Sequence, residues 1–190
     1  MARHPDAIRQ LLGRGPLTSR QLVENTGGGQ PTVSRALARL GDEVVRIGAG
    51  SAIRYALRDT TCGFASAPIF SVNDQGLIRE LGVLVPVRPE GFVMVQADGV
   101  TLHSDGLPWW LFDMRPQGYL GQAYASACAG ALGLSANPDH WSDSQVIRVL
   151  LAQGYDAIGN FLIGGLAHDR FISMPVPFPV DRAADYPALA

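Results

Sequence analysis

The first 40 residues combine apolar positions at helical spacing with glycine-rich breaks. Ile8, Leu11 and Leu12 lie on one helical face and precede a glycine-containing turn. Thr18 occupies an N-cap position before a short second helix, and the three glycines at 27–29 end that helix. The pattern predicts two short helices separated by a turn.

A third helix and a hairpin follow. The third helix begins at Gln30-Pro31, because proline at the first helical position gives up no hydrogen bond. Its apolar stripe is expected at i, i+3, i+4 and i+7, namely Val33, Ala36, Leu37 and Leu40. The alternating runs 44–47 and 53–57, joined by the turn residues 48–51, predict two antiparallel strands.

Residues 1–58 are thus predicted to form three helices followed by a hairpin. This is the element order of a winged helix-turn-helix. Residues 30–37 (QPTVSRAL) closely resemble the recognition helices of bacterial winged-helix regulators. A recognition helix enters the major groove of duplex DNA, while helix N-termini and the wing contact phosphates. The predicted DNA-binding residues are Thr18, Ser19, Arg20, Gln30, Pro31, Thr32, Ser34, Arg35, Arg39, Arg46, Ser51 and Arg54.

The distribution of charge supports this interpretation. All 15 basic residues are arginine, and nine of them lie in residues 1–58 with only four carboxylates, a local net charge of +5. Residues 59–190 carry −7, so the overall value of −2 conceals two regions of opposite sign. The alternative is a winged helix that binds protein, and the positive charge favours DNA.

Residues 59–190 are predicted to form a second, mixed module, which makes the fold class α+β. Residues 59–68 form a linker, and 69–103 contain a β-meander of three or four short strands. After a helix over 119–132, the capping box at Ser142 begins another helix, and 159–163 form a last strand. The module extends over 69–165, and a proline-rich extended tail occupies 166–190.

An aromatic cluster over 106–119 contains two adjacent tryptophans. Adjacent side chains point in different directions, so we expect one tryptophan in the core and one over a neighbour or an interface. The predicted protein-docking residues are Trp109, Trp110, Met114 and Arg115. An ordinary aromatic core is the alternative.

Two blocks of this module resemble HipA-type serine/threonine kinase toxins. Residues 106–121 contain the family's Pro-x-Gly as Pro116-Gln117-Gly118, and 143–163 include the pattern LLAQGYDAIGNFLIG. With the meander, these blocks resemble the small N-terminal subdomain of that family. The winged helix in front resembles the YjjJ-like (HipH) branch, whose members carry their own DNA-binding domain.

The sequence departs from the family in its catalytic motifs. The resemblance implies a phosphate loop ending in Gln-Pro-Lys, a catalytic-loop aspartate and a metal-binding aspartate, and none occurs in these 190 residues, which contain no lysine. We therefore expect no kinase activity, no catalytic residue and no cofactor in this sequence. The kinase catalytic core is expected in cis, if this is part of a longer protein, or in trans, if it is a free-standing antitoxin-like subunit.

Other functions remain open at this point. A ligand-sensing winged-helix regulator would bind a small effector in 69–165, and palindromic operators would allow a homodimer. A hydrolase using His103 with Asp105, or Asp139 with His140, is disfavoured because the sequence has no GxSxG motif.

General sequence features exclude several further classes of protein. The two cysteines and four histidines are scattered, so we expect neither a disulfide nor a metal site. No apolar run approaches the ~20 residues of a membrane span, and the N-terminus lacks a signal peptide. The sequence predicts a cytoplasmic protein with no membrane partner.

Overall fold

A computed structural model describes residues 4–157 and 159–174, apart from the side chains of Ser51 and Asp156. The chain is α+β, as predicted. The helices are α1 (His4–Leu12), α2 (Ser19–Thr26), α3 (Gln30–Leu40), α4 (Gly118–Cys128), α5 (Asp143–Gln153) and α6 (Gly165–Ser173). The strands are β1 (Leu17–Thr18), β2 (Val44–Ile47), β3 (Arg54–Leu57), β4 (Ala67–Val72), β5 (Ile78–Val87), β6 (Gly91–Gln96), β7 (Thr101–Asp105) and β8 (Phe161–Ile163).

The three N-terminal helices enclose one hydrophobic cluster. Val33, Ala36 and Leu40 of α3 are buried there, and Leu37 is partly buried, which confirms the predicted stripe. Thr18 is the N-cap of α2, as predicted, and it also forms a capping box: Thr18 Oγ1 accepts a hydrogen bond from the Gln21 backbone amide at 3.2 Å, and Gln21 Oε1 accepts one from the Thr18 backbone amide at 2.9 Å.

Strands β2 and β3 form the predicted hairpin within a three-stranded antiparallel sheet of order β1-β3-β2. The two-residue strand β1 was not predicted, because its pairing with β3 joins residues more than 35 positions apart. Directly opposed residues share a face. Arg46 therefore lies on the same face as its partner Tyr55, towards the helical cluster, whereas Ile47 and Arg54 lie on the other face.

The second sheet has five antiparallel strands in the order β7-β6-β5-β4-β8. The predicted meander supplies β4 to β7, and β8 adds to it by pairing with β4. The pairing register of β4 with β5 shifts by a bulge between Ile69 and Phe70, and Ile69 lies opposite Gly82 of β5. Gly82 has φ +144°, and a Cβ there would lie 2.7 Å from the Cα of Gln96, so only glycine fits this close approach.

Helices α4 and α5 and the aromatic segment cover one face of this sheet. Helix α5 begins with the predicted capping box, in which Ser142 Oγ accepts from the Gln145 amide at 3.3 Å. Its apolar residues enter the main core cluster together with Trp141, Leu111 and residues of β4 to β6. This cluster fixes the positions of the aromatic segment and of α4.

Residues 59–68, predicted as a linker, are partly built into the fold. Strand β4 already begins at Ala67, which is fully buried. The Asp59 amide donates to the Pro86 carbonyl at 2.9 Å, and the Arg88 amide donates to the Leu57 carbonyl at 2.8 Å. The segment is therefore held against β5 at its start and enters the sheet at its end.

A third hydrophobic cluster joins the two sheets. Side chains from the outer face of the hairpin pack against side chains of β5 and β6, and its buried members are Val45, Ile47, Ala56, Val85, Val87 and Val93. The Gly48 amide also donates to Thr101 Oγ1 of β7 at 2.6 Å. The hairpin is consequently anchored to the second sheet through the apolar residues of one face.

The expected extended tail over 166–190 is wrong in its first part, because α6 extends over Gly165–Ser173. Ala167 of this helix is fully buried, and Arg170 lies over the ring of Tyr155 at 5.2 Å, so tertiary packing maintains the helix. The prolines from 175 onward, on which the expectation rested, lie outside the described residues.

The shared cluster predicts that the hairpin and the second sheet unfold together. Ile47→Ala should lower the free energy of unfolding by about 2–4 kcal/mol, because it leaves a cavity between the two sheets. Urea denaturation followed by circular dichroism measures this loss, with Leu77→Ala, whose side chain is 63% exposed, as the control. A loss equal to that of the control would contradict the packing described.

Candidate nucleic-acid interface

The face of α3 opposite its buried stripe is exposed and basic. Thr32 is half-buried there, and the remaining predicted residues of this helix are exposed, namely Gln30, Pro31, Ser34, Arg35 and Arg39. No side chain caps the N-terminus at Gly29. Pro31 has no N–H group, and the Thr32 and Val33 amides donate to the Gly29 carbonyl at 2.9 and 3.1 Å, so this helix end offers few N–H groups to an anion. The helix therefore presents hydrogen-bonding and cationic groups on one surface.

The candidates at the start of α2 are partly engaged within the protein. The Thr18 hydroxyl belongs to the capping box. Arg20 Nε donates to Glu24 at 2.9 Å, but both side chains are exposed, and such ion pairs contribute little. Ser19 is half-buried at the first position of the helix. Of these three, Arg20 retains a side chain that can exchange its partner for a phosphate.

The two arginines of the hairpin lie on opposite faces. Arg46 is exposed on the side of the helices, whereas Arg54 is exposed on the side that faces the second sheet. The predicted wing residues therefore do not form one cluster. Ser51 lies in the turn Gly50–Ala52, and its side chain falls outside the described part of the chain.

Most arginines of this region are not neutralised within the chain. Arg9 bonds to both Asp6 and Glu43 at 2.8 Å, and its hydrogen bond lowers the pKa of the Glu43 carboxyl. By contrast, six arginines form no ion pair with any residue that the structure describes, namely Arg14, Arg35, Arg39, Arg46, Arg54 and Arg58. The positive charge of α3 and the hairpin is available to an external anion.

The four predicted docking residues do not form one exposed patch. Trp109 is 78% exposed, while Trp110 is half-buried and packs edge-on against Phe161 with ring centroids 5.3 Å apart. Met114 is buried in the main core. Arg115 donates to Asp143 at 2.6 Å and to the Trp141 carbonyl at 2.8 Å. Of these four residues, Trp109 is the one with a largely exposed side chain.

An open groove beside α4 was missed by the sequence analysis. Tyr119 and Leu120, 88% and 64% exposed, line it together with Pro116, Tyr124 and Ala157. The buried residues of α4 are Gly121, Ala125 and Cys128. The large apolar side chains at 119 and 120 precede this stripe and are not part of it, which is the sequence signal of the groove.

The histidine–carboxylate pairs lack catalytic geometry. His103 Nε2 lies 3.7 Å from Asp105 Oδ1, too far for the hydrogen bond that orients a catalytic histidine. Burial lowers the pKa of His103, Asp105 opposes this effect, and the positive charge of Arg54 adds to it. Asp139 and His140 are both exposed.

The described residues contain neither a metal-binding cluster nor a membrane-spanning helix. Over 4–157 and 159–174, no three His, Cys, Asp or Glu side chains cluster closely enough to hold a metal ion. Within the same residues, no helix has the length and apolar character needed to cross a membrane.

Comparison with known proteins identifies the family. The model of a family described as the middle domain of YjjJ-like toxins matches residues 64–172, more than half of the chain. The chain belongs to the YjjJ-like toxin family. It is therefore a toxin–antitoxin-related protein, as its resemblance to HipA-type toxins implies.

One curated YjjJ-like relative extends the similarity beyond the middle domain. Toxin YjjJ of Escherichia coli (strain K12) is 33% identical over 178 residues, which cover 92% of this chain and 40% of the relative. A match of that extent includes most of the region before residue 64. The chain spans about two-fifths of the length of this relative. No solved structure matches this chain.

The contacts of Arg115 lie inside the YjjJ-like middle domain and indicate a structural role. Asp143 Oδ1 accepts from Arg115, and Asp143 Oδ2 accepts from the Leu107 amide at 2.7 Å. One carboxylate therefore ties both ends of the aromatic segment to the first turn of α5.

Asp143→Asn should lower the free energy of unfolding by about 1–2 kcal/mol, because it removes the charge that binds Arg115. Chemical denaturation measures the change, and Asp139→Asn, an exposed aspartate nearby, should change it by less than about 0.5 kcal/mol. Equal stability of Asp143→Asn and the parent chain would remove the structural role of this contact.

Proposed function

We propose that this chain is the DNA-binding regulatory part of a YjjJ-like toxin of the HipH branch, and that residues 4–58 form a winged helix-turn-helix. The observation that carries the proposal is the exposed, unneutralised basic face of α3, which follows two short helices and precedes a hairpin. This is the element order of winged-helix DNA-binding domains, and the sheet order β1-β3-β2 agrees with it.

The side chains of α3 suit the major groove of duplex DNA. Arginine and glutamine make bidentate contacts to guanine and adenine, and a threonine methyl contacts thymine. Gln30 is the first residue of α3, at the end of a recognition helix that approaches base edges, and Arg35 is exposed at the middle of the helix. Arg39 and Arg46 would contact phosphates on either side.

A winged helix that binds protein instead of DNA is the competing function. Such an interface would have an apolar centre on the exposed face of α3, because the centres of protein interfaces are depleted in charge. The exposed positions of α3 are instead polar or charged, Pro31 and Ala38 excepted. The chemistry of this face favours a polyanion.

The middle domain would pack against the kinase core that the family resemblance implies. The α4 groove, with Tyr119 and Leu120 at its edge, is the apolar surface suited to such a contact. We propose the kinase contact there and not at Met114 and Arg115, because Met114 is buried in the core and Arg115 donates to Asp143. The catalytic core would be present in cis in a longer protein or bind in trans.

DNA binding is tested by titrating the full chain into labelled duplexes of random and upstream sequence, with electrophoretic mobility as the readout. The apparent affinity should fall steeply with salt, with a logarithmic slope of about −0.9 for each phosphate neutralised. Arg35→Ala with Arg39→Ala should weaken binding at least about tenfold and reduce the slope by about two.

The matched control is Arg79→Ala with Arg170→Ala, which removes the same charge from the second module. It should leave the affinity within about twofold of the parent chain, since both arginines lie outside the proposed interface. Absence of binding to every duplex at low salt, or equal losses in both double variants, would refute the DNA-binding function.

The kinase contact is tested by co-purifying the chain with the catalytic portion of a YjjJ-like toxin. Tyr119→Ala with Leu120→Ala should reduce the association at least about tenfold, because both side chains lose apolar contact area in the complex. Leu77→Ala with Val100→Ala, which truncates two exposed apolar side chains elsewhere, serves as the control. Unchanged association of the α4 variant would remove the groove from the proposal.

A further inference from the structure

A cleft lies where the hairpin meets the edge of the second sheet. Its walls come from both modules: Ile47, Gly48 and Arg54 from the hairpin side, and Thr101, His103 and Trp109 from the middle domain. The bond between the Gly48 amide and Thr101 Oγ1 holds the two walls together at 2.6 Å. The cleft therefore continues the hairpin surface onto the middle domain.

The polar groups of the cleft face each other across the junction. Arg54 lies on the outer face of the hairpin, as its partner Ile47 does. Thr101 and His103 oppose Val95 and Val93 on β6, and Val93 belongs to the cluster that packs on the hairpin. Thr101 and His103 thus lie on the face of the second sheet that meets Arg54.

The chemistry of the cleft is that of an anion site. Arg54 forms no ion pair with any residue the structure describes, and no carboxylate is among the residues that line the cleft. The Thr101 hydroxyl accepts from Gly48 and keeps its own proton to donate. Asp105 is 95% exposed and interacts with His103, so it adds negative charge next to the site but not within it.

Trp109 completes the cleft at its rim. Its ring is 78% exposed, although the neighbouring Trp110 and Leu111 are packed inward. Indole is a hydrogen-bond donor with a large planar surface, which suits a sugar-phosphate backbone better than a free inorganic anion. An extended polyanion can contact Arg54 and Trp109 at once.

We propose that this cleft binds the phosphate backbone of the same duplex that α3 contacts, so that the middle domain contributes directly to the DNA interface. The inference rests on the proposed DNA-binding function. DNA that follows the hairpin past its turn meets β7 and Trp109 next, because the hairpin is fixed to β7 at Gly48. Trp109 is then a DNA-contacting residue and not part of the kinase contact.

The exposure of the three tryptophans allows a direct test by fluorescence. Trp141 is 3% exposed and Trp110 is half-buried, so acrylamide quenches Trp109 preferentially. A saturating 30-base-pair duplex at low salt should reduce the quenching constant of the full chain at least about twofold. The chain with Trp109→Phe should show no such reduction, and inorganic phosphate at equal phosphate concentration should protect neither chain.

Affinity provides the second measurement. Trp109→Ala should weaken duplex binding about fivefold, because it removes a hydrogen bond to a charged phosphate, whereas Tyr119→Ala, an aromatic truncation at a similarly exposed site on α4, should not change it. Arg54→Ala should reduce the salt slope by about one.

The outcomes separate this inference from the function on which it rests. If the duplex binds and the α3 variants lose binding, yet Trp109 stays fully quenchable and Trp109→Ala binds normally, the cleft is not a DNA contact. Protection by inorganic phosphate alone would also overturn it, since the site would then hold a small anion. Absence of binding by the parent chain would refute the DNA-binding function together with the inference.

Discussion

The hydrophobic cluster between the hairpin and the second sheet determines how the rest of the chain is arranged. Val45, Ile47 and Ala56 fill one side, and Val85, Val87 and Val93 fill the other. In the winged helix proposed for residues 4–58, this hairpin would be the wing, and one of its faces packs against the middle domain. The hairpin, β5 and β6 share this core, so the hairpin and the second sheet should unfold together.

Local features of the fold were predictable from the sequence. The N-cap at Thr18, the capping box at Ser142, the buried stripe of α3 and the hairpin all depend on residues a few positions apart. Backbone hydrogen bonding and burial at helical or strand spacing act over that range, so a single sequence carries the information. The exposed basic face of α3 follows from the same periodicity.

Long-range features were not predictable. The burial of Met114 and the contact of Arg115 with Asp143 depend on α5, about 30 residues away, and they remove both residues from the predicted docking patch. The separation of Arg46 from Arg54 depends on strand register, which alternation alone does not define. Helix α6 was missed because the prolines beyond residue 174 dominated the composition of the tail.

Backbone amide chemical shifts, followed while the full chain is titrated with a duplex, test the central claim most directly, because they report on every described segment at once. The account predicts that the largest changes occur in α3, at the turn of the hairpin and along β7, with α4 and α6 unaffected. Changes restricted to α4 and its groove, or no change at low salt, would contradict a DNA-binding role for this member of the YjjJ-like toxin family.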